Sequence, residues 1–384
     1  MKTLIVNAHV ISPDVELKKA SVAIENGRIR DVTTDAVSRK GFDTVVDVRG
    51  KYLVPGFIDM HLHGACGFDV CDATPEAIAK IAEAKLAEGC TSFLPTTLTV
   101  AKQTLKAAAK AVAAYRKDER FAKVAGIHLE GPFINVACCG AQNPAFVRKP
   151  DIREVLSVDA ISPVKLVSFA PETKGGAAFA ARLLEHGIVP SCGHSGATLD
   201  AFLPAYANGL RRLTHFCNQM TKLHHREIGL VGAGFLLDDL DTEVICDRIH
   251  LCDDMLRLVF WKRDLAHVQM ITDSLRCSHM PDGYAFEMGG LKVRLDKGEA
   301  RLVEGGNLAG STLWMNKGLK NLVEVTGLPL KDLIRVTSWN QAIDLGLGTT
   351  LGKVEKCYVA DLAVLDPKTF DVCAVFVDGE QRLT

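Results

Sequence analysis

Two histidines one residue apart, His61 and His63 in PGFIDMHLHG, close an apolar run. On a strand, alternation with period two sends both imidazoles to one side, where they can share a metal ion. The competing reading is a pair of polar residues satisfied by backbone at a strand end. Three further apolar runs end in the same way, at Glu130 in GIHLEGPF, His194 in SCGHSG and His215 in THFCNQM. One Glu with two His is an open coordination set for a catalytic zinc, with a place left for water. His128, two residues before Glu130, could face the same side and is a weaker candidate. Asp273, in MITDS, ends the last such run and is either a helix N-cap or a general acid/base. A metal lowers the pKa of water from about 15.7 to about 7, and a carboxylate beside it can take the proton and pass it to a leaving amine. Arg226, in a His-His-Arg cluster, offers either a planar fork suited to phosphate or a surface salt bridge. His250 follows another apolar run and could donate to an acyl oxygen as charge develops on it.

For these groups to meet, the runs that carry them must end on one face. Parallel strands closed into a barrel do this, because their C-terminal ends converge where catalytic groups collect. Eight strand candidates are present, at 57–63, 90–98, 124–129, 164–170, 189–192, 212–216, 243–246 and 268–272. Helical periodicity fills gaps between them at 75–88, 101–117, 176–186 and 198–207, and returns at 311–325 and 330–345. This alternation predicts an α/β fold, a (β/α)8 TIM-like barrel over 54–348. Short β-like runs at 283–304 form an excursion from it. Residues 1–53 and 349–384 are β-rich and are expected to pair into one small β-sandwich.

Composition narrows the partners. Of 384 residues 48% are hydrophobic and 24% charged, the profile of a globular domain with a sizeable core. The net charge is −1 and no Lys/Arg run stands out, which argues against nucleic acid or an anionic membrane and leaves a small molecule as ligand. No stretch reaches the ~18 apolar residues of a membrane span, and the N-terminus lacks the pattern of a secretory signal. Twelve cysteines occur without a C-x-x-C pair, as expected of core thiols in a reducing, cytoplasmic compartment.

Taken in order, PGFIDMHLHG, HLEGPF, GHSGAT, THFCNQM with HHRE, ITDS and LAGST resemble the N-acetylglucosamine-6-phosphate deacetylases of the metal-dependent amidohydrolase superfamily. The likeness extends over nearly the whole chain. It implies a (β/α)8 barrel with a small β-sandwich, and hydrolysis of the N-acetyl group of an amino-sugar phosphate. On this resemblance Glu130, His194 and His215 are the principal metal ligands and Asp273 is the catalytic acid/base, with His250 as helper. His61 and His63 would admit a second ion bridged by Glu130, so one or two divalent ions are expected, zinc first, with iron, cobalt or manganese as alternatives. Substrate contacts fall at Ala141, Asn218, Gln219, Arg226, His250 and Leu308-Ala309-Gly310, and the expected assembly is a homodimer. Two positions depart from the pattern. Gln142 stands where a histidine is common, removing an ionisable contact, and Arg248 stands where a glycine is common, adding bulk and charge close to the expected pocket. Rival substrates are N-acetylgalactosamine 6-phosphate, an unphosphorylated acetylamino sugar and an N-acyl amino acid. A non-catalytic, metal-stabilised binding protein is the rival from another class.

Overall fold

The computed structural model describes residues 1–383. Eight parallel strands form the barrel: Phe57–Leu62 (β1), Cys90–Thr97 (β2), Ile127–Glu130 (β3), Val164–Phe169 (β4), Val189–Cys192 (β5), Arg212–Leu213 (β6), Asp241–Ile245 (β7) and Val268–Ile271 (β8). Each pairs with its neighbour in sequence. Every residue of β1 and β2 is buried, because such strands have helices on one side and the packed barrel interior on the other. The ring closes where β8 meets β1: the Asp273 amide donates to the His61 carbonyl and the His63 amide to that of Ser274, both at 2.8 Å. That seam brings the H-x-H pair beside Asp273.

Local chemistry explains where the strands stop. The run expected at 124–129 is interrupted at Gly126, whose φ is +152° and whose added Cβ would lie 2.3 Å from Lys165 Cγ. The run at 212–216 yields only two strand residues, since His215 and Cys217 turn left-handed at φ +33° and +76°. Helix Pro75–Ala87 begins at Thr74, whose hydroxyl accepts from the Ala77 amide, with proline in the first turn. Three helices escape the periodicity reading, Ile152–Asp159, Gly229–Leu236 and Asp253–Lys262. The second, GLVGAGFL, has no polar face from which a period could be read. The helix expected at 330–345 is three pieces, Leu330–Leu333, a 3-10 turn Ile334–Thr337, and Trp339–Asp344. It breaks at Ser338, at φ −150° and ψ −61°.

Both chain ends enter one eight-stranded sheet. Lys2–Ser12 pairs with Val15–Glu25 along one edge, while its other edge is shared between Thr44–Asp47 and Tyr52–Pro55. Leu362–Leu365 then pairs with Tyr52–Pro55, followed by Val372–Val377 and Glu380–Leu383. The forked sheet wraps a core of its own that includes Ile5, Val10, Ile24, Leu53, Leu362 and Phe376, which is how the sandwich is built. The excursion after β8 is a meander of three antiparallel strands, Ala285–Met288, Leu291–Asp296 and Glu299–Leu302.

Candidate active site

At the C-terminal end of the barrel four imidazoles and two carboxylates crowd together. His61 Nδ1 donates to Glu243 Oε2 of β7 at 3.0 Å, His63 Nδ1 to the Thr96 carbonyl at 3.1 Å, and His194 Nδ1 to the Cys138 carbonyl at 2.8 Å. A carbonyl or carboxylate oxygen accepts, so Nδ1 of each ring carries a proton and Nε2 is the atom left to face the site. These Nε2 atoms face one another. His194 and His215 Nε2 are 3.1 Å apart, and each lies 3.1–3.2 Å from Glu130 Oε1. His61 and His63 Nε2 are 3.4 Å apart, and His63 Nε2 is 3.3 Å from Glu130 Oε2 and 3.2 Å from Asp273 Oδ1.

Strain and its compensation are visible here. His194, His215 and Asp273 all have left-handed backbone, at φ +50°, +33° and +50°, a conformation costing a non-glycine residue about 1–3 kcal/mol. Glu172 holds the His194 turn by accepting from the Ser195 hydroxyl at 2.6 Å and the Gly196 amide at 2.7 Å. The Ser311 amide, donating to the Asp273 carbonyl at 2.7 Å, holds the last of the three.

Electrostatics follow from the packing. Burial alone would keep these groups neutral, but the opposite charges outweigh it. His63 rises to about 9, against its burial, through its hydrogen bonds to Asp273 and Glu130. Glu130 and Asp273 are held below the ordinary carboxylate range against burial, first by the charge of His61. Imidazole Nε2 atoms turned on one another beside ionised carboxylates are a donor set that could hold a cation. Two triads satisfy the geometry, Glu130–His194–His215 and His61–His63–Asp273, with the ligand atoms of each within 4.8 Å of one another. His128 takes no part. Its Nδ1 donates to the Met60 carbonyl, its Nε2 accepts from the Ser168 hydroxyl at 2.7 Å, and burial, then the charge of His61, pushes its pKa down to about 3.

Above this floor opens a cavity of about 320 Å³. Its wall includes Ala141, Asn218, Gln219, His250, Leu308 and Gly310, six of the eight positions expected to contact substrate. Ala309 is fully buried and packs into the core. Arg226 does not line the cavity; it sits in a separate surface pocket with His224 and His225, its guanidinium 2.7 Å from His225 Nε2. Arg248 also departs from expectation. It turns away to Asp253 at 2.6 Å and Glu324 at 3.3 Å and adds no charge to the cavity wall. Gln142 is buried beside the floor, where its amide donates to Glu130 Oε2 and its carbonyl accepts from the Thr99 amide at 2.7 Å. His250 Nδ1 is held by Asp247 at 2.7 Å, leaving Nε2 as its uncommitted ring nitrogen.

Sequence reading passed over Glu243, Glu172 and Arg301. Glu243 opens a strand candidate, and only the closed ring shows that it points inward at His61. Glu172 lies beyond β4 in a loop without a motif, and Arg301 lies in the excursion.

The description of the amidohydrolase family matches residues 52–256 and 262–382. The chain belongs to the amidohydrolase family. Within it, this amidohydrolase is 32% identical to an N-acetylglucosamine-6-phosphate deacetylase of Lysinibacillus sphaericus, over 95% of this chain and 94% of that one. It is 34% identical to an N-acetylgalactosamine-6-phosphate deacetylase of Escherichia coli O157:H7, over 88% and 89%. Its fold matches, with TM-score 0.91 and 29% identity over the full length of both chains, a mutant N-acetyl-D-glucosamine-6-phosphate deacetylase of Mycobacterium smegmatis in complex with N-acetyl-D-glucosamine-6-phosphate.

Proposed function

We propose that this amidohydrolase removes the acetyl group of N-acetylglucosamine 6-phosphate, giving glucosamine 6-phosphate and acetate. The observation that carries the reading is the cavity whose floor holds two candidate ligand triads, one of them including Asp273, with Glu130 within reach of both. Glu130, His194 and His215 hold the principal divalent ion, zinc first by ligand type, and His61 and His63 provide for a second. Held by these residues, a divalent ion would supply Lewis acidity toward the acetyl carbonyl and the attacking water. Asp273, kept ionised, accepts the proton of that water and returns it to the sugar nitrogen as the C–N bond breaks. His250 Nε2 donates to the acetyl oxygen, while Asn218, Gln219 and the backbone at Ala141 and Leu308–Gly310 orient the sugar. Arg226 serves the phosphate from an exposed loop in a homodimer. The twelve free thiols support a cytoplasmic setting. On this reading 54–348 is the catalytic barrel, and 1–53 with 349–384 the sandwich that braces it.

A second reading, the galactosamine epimer, is raised by the likeness to the Escherichia coli O157:H7 protein, at an identity that the glucosamine-specific relatives also reach. Acetate release from both sugar phosphates and from the unphosphorylated sugar, by protein of known metal content, tests the choice. Release from N-acetylglucosamine 6-phosphate is expected to fall about 10²–10⁴-fold in Asp273→Asn with metal retained. Faster release from the epimer moves the substrate, and no release from any amide overturns the enzyme.

A further inference from the structure

We propose that Arg301 is the cation with which this chain grips the anionic group of its own substrate, and that Glu299 aims it. The proposal rests on the sugar-phosphate reading above and adds the residue that enforces it. Among the described residues lining the catalytic cavity, Arg301 is the single Lys or Arg. Of the two other arginines expected near the substrate, Arg226 lies in a surface pocket outside this cavity, from which it serves the phosphate only in the homodimer, and Arg248 is held by Asp253 and Glu324.

The meander builds this position. In strand Glu299–Leu302 the side chain of Ala300 is buried, so Glu299 and Arg301, two residues apart, share the opposite face. The strand is braced by the Ala309 amide donating to the Ala300 carbonyl and the Leu302 amide donating to that of Asn307, both at 2.9 Å. Arg301 thereby stands opposite Leu308, whose segment lines the same cavity. Its guanidinium is oriented on both sides. Nε and a terminal nitrogen donate to Glu299 Oε2 at 2.8 and 2.7 Å, and the other terminal nitrogen donates to the Gly306 carbonyl at 2.9 Å. Three of five N–H donors are thus taken and two remain for a ligand.

Depth matches the substrate class. The ligand side chains of the floor are 0–11% exposed, whereas the Arg301 side chain is 48% exposed, at the rim. An N-acetyl amino sugar 6-phosphate carries its amide and its phosphate at opposite ends. With the amide at the floor the phosphate reaches the rim, where a planar, pre-oriented fork meets its oxygens.

The test compares steady-state acetate release from N-acetylglucosamine 6-phosphate and from N-acetylglucosamine by the metal-loaded wild type, Arg301→Met and Arg301→Lys, with thermal unfolding as a folding control. In Arg301→Met, KM for the phosphorylated sugar is expected to rise about 10–100-fold with kcat within about twofold, the signature of lost uniform binding. Activity on the unphosphorylated sugar stays unchanged, so the preference for phosphate falls by the same factor. Arg301→Lys, which keeps the charge and loses the fork, recovers part of it. A folded Arg301→Met that retains the wild-type preference overturns the role of Arg301 and leaves the deacetylase reading standing. A wild type with no preference for the phosphorylated sugar overturns the phosphate reading, and the proposal with it.

Discussion

Replacing Glu243 by glutamine alters one group in a buried chain that runs from the active-site floor toward the far end of the barrel. Glu243 is fully buried; it accepts from His61 Nδ1 at 3.0 Å and the His215 amide at 3.3 Å, and lies 3.6 Å from Arg212. Arg212 in turn is held by Asp344 and Gln269. Burial would raise the Glu243 carboxyl, and the hydrogen bond and charge of His61, with His128 and Arg212, outweigh it and hold it below the ordinary range. A glutamine keeps the shape but has one acceptor and one donor end. With its NH₂ toward His61, the imidazole must move its proton to Nε2, the atom that faces the other ligands. With its NH₂ toward Arg212, two donors confront each other. Either arrangement forfeits a charged hydrogen bond of about 1.5–3 kcal/mol, less than a fully broken buried pair because Arg212 keeps Asp344. Loss of such an outer partner lowers metal affinity about 10–100-fold. Competition against a chromogenic chelator, with metal per chain measured by atomic emission, should show the ion on His61 and His63 weakened by that factor and the ion on Glu130, His194 and His215 retained. A folded variant with unchanged affinity for both ions, or a wild type that takes one ion at every concentration, refutes the reasoning.

Three further outcomes follow from the packing. Lys85 is fully buried between Asp59, at 2.9 Å, and Glu88; Lys85→Met strands two carboxylates and should cost about 3–5 kcal/mol in urea unfolding, partly restored by adding Glu88→Gln. Gly56 joins the end sheet to β1, and an added Cβ would sit 2.2 Å from Thr91 Cγ2; Gly56→Ala should lose about 1–3 kcal/mol, with part recovered by Thr91→Ala, and an unchanged urea midpoint contradicts the clash. The His250 pKa is raised, because the hydrogen bond and charge of Asp247 exceed the lowering due to burial. A histidine raised on folding stabilises fully below its unfolded value of about 6.5 and loses that contribution as pH rises through the folded value. The stability gap between wild type and His250→Gln, measured by urea midpoint, should therefore be widest near pH 6 and narrow in alkali.

The barrel and the convergence of its strand ends are legible because strands buried on both sides are written as apolar runs, and several of these runs stop at a polar residue that the closed ring turns inward. His61 and His63 also announce a shared face through their spacing alone. Long side chains are harder to follow. Arg248 was expected beside the cavity, yet Asp253, five residues on, takes two of its nitrogens and Glu324, 76 residues away, a third. Gln142 reads as the loss of an ionisable group, whereas the fold makes it a clamp on Glu130. Glu243 and Arg301 are silent in sequence for one reason: each gains its role from a neighbour supplied by ring closure or strand pairing. Helix Gly229–Leu236 is hidden by its burial, which removes the polar face that a period needs.

The strand order of the end sheet also bears on how the chain is made. Tyr52–Pro55, which runs straight into β1, lies between Lys2–Ser12 and Leu362–Leu365. The Gly56 amide donates to the Asp361 carbonyl at 2.8 Å, and the Ser12 hydroxyl accepts from the Val354 amide 342 residues later. During synthesis at about 5–20 residues per second, the early strands wait roughly 15–60 s with one edge unsatisfied. An open edge is a template for pairing with another nascent chain. This places the hazard for aggregation in translation: β1, with its two histidines, follows directly on a strand whose open edge is covered only by residues near the end of the chain, so it is among the first strands made and among the last to be locked.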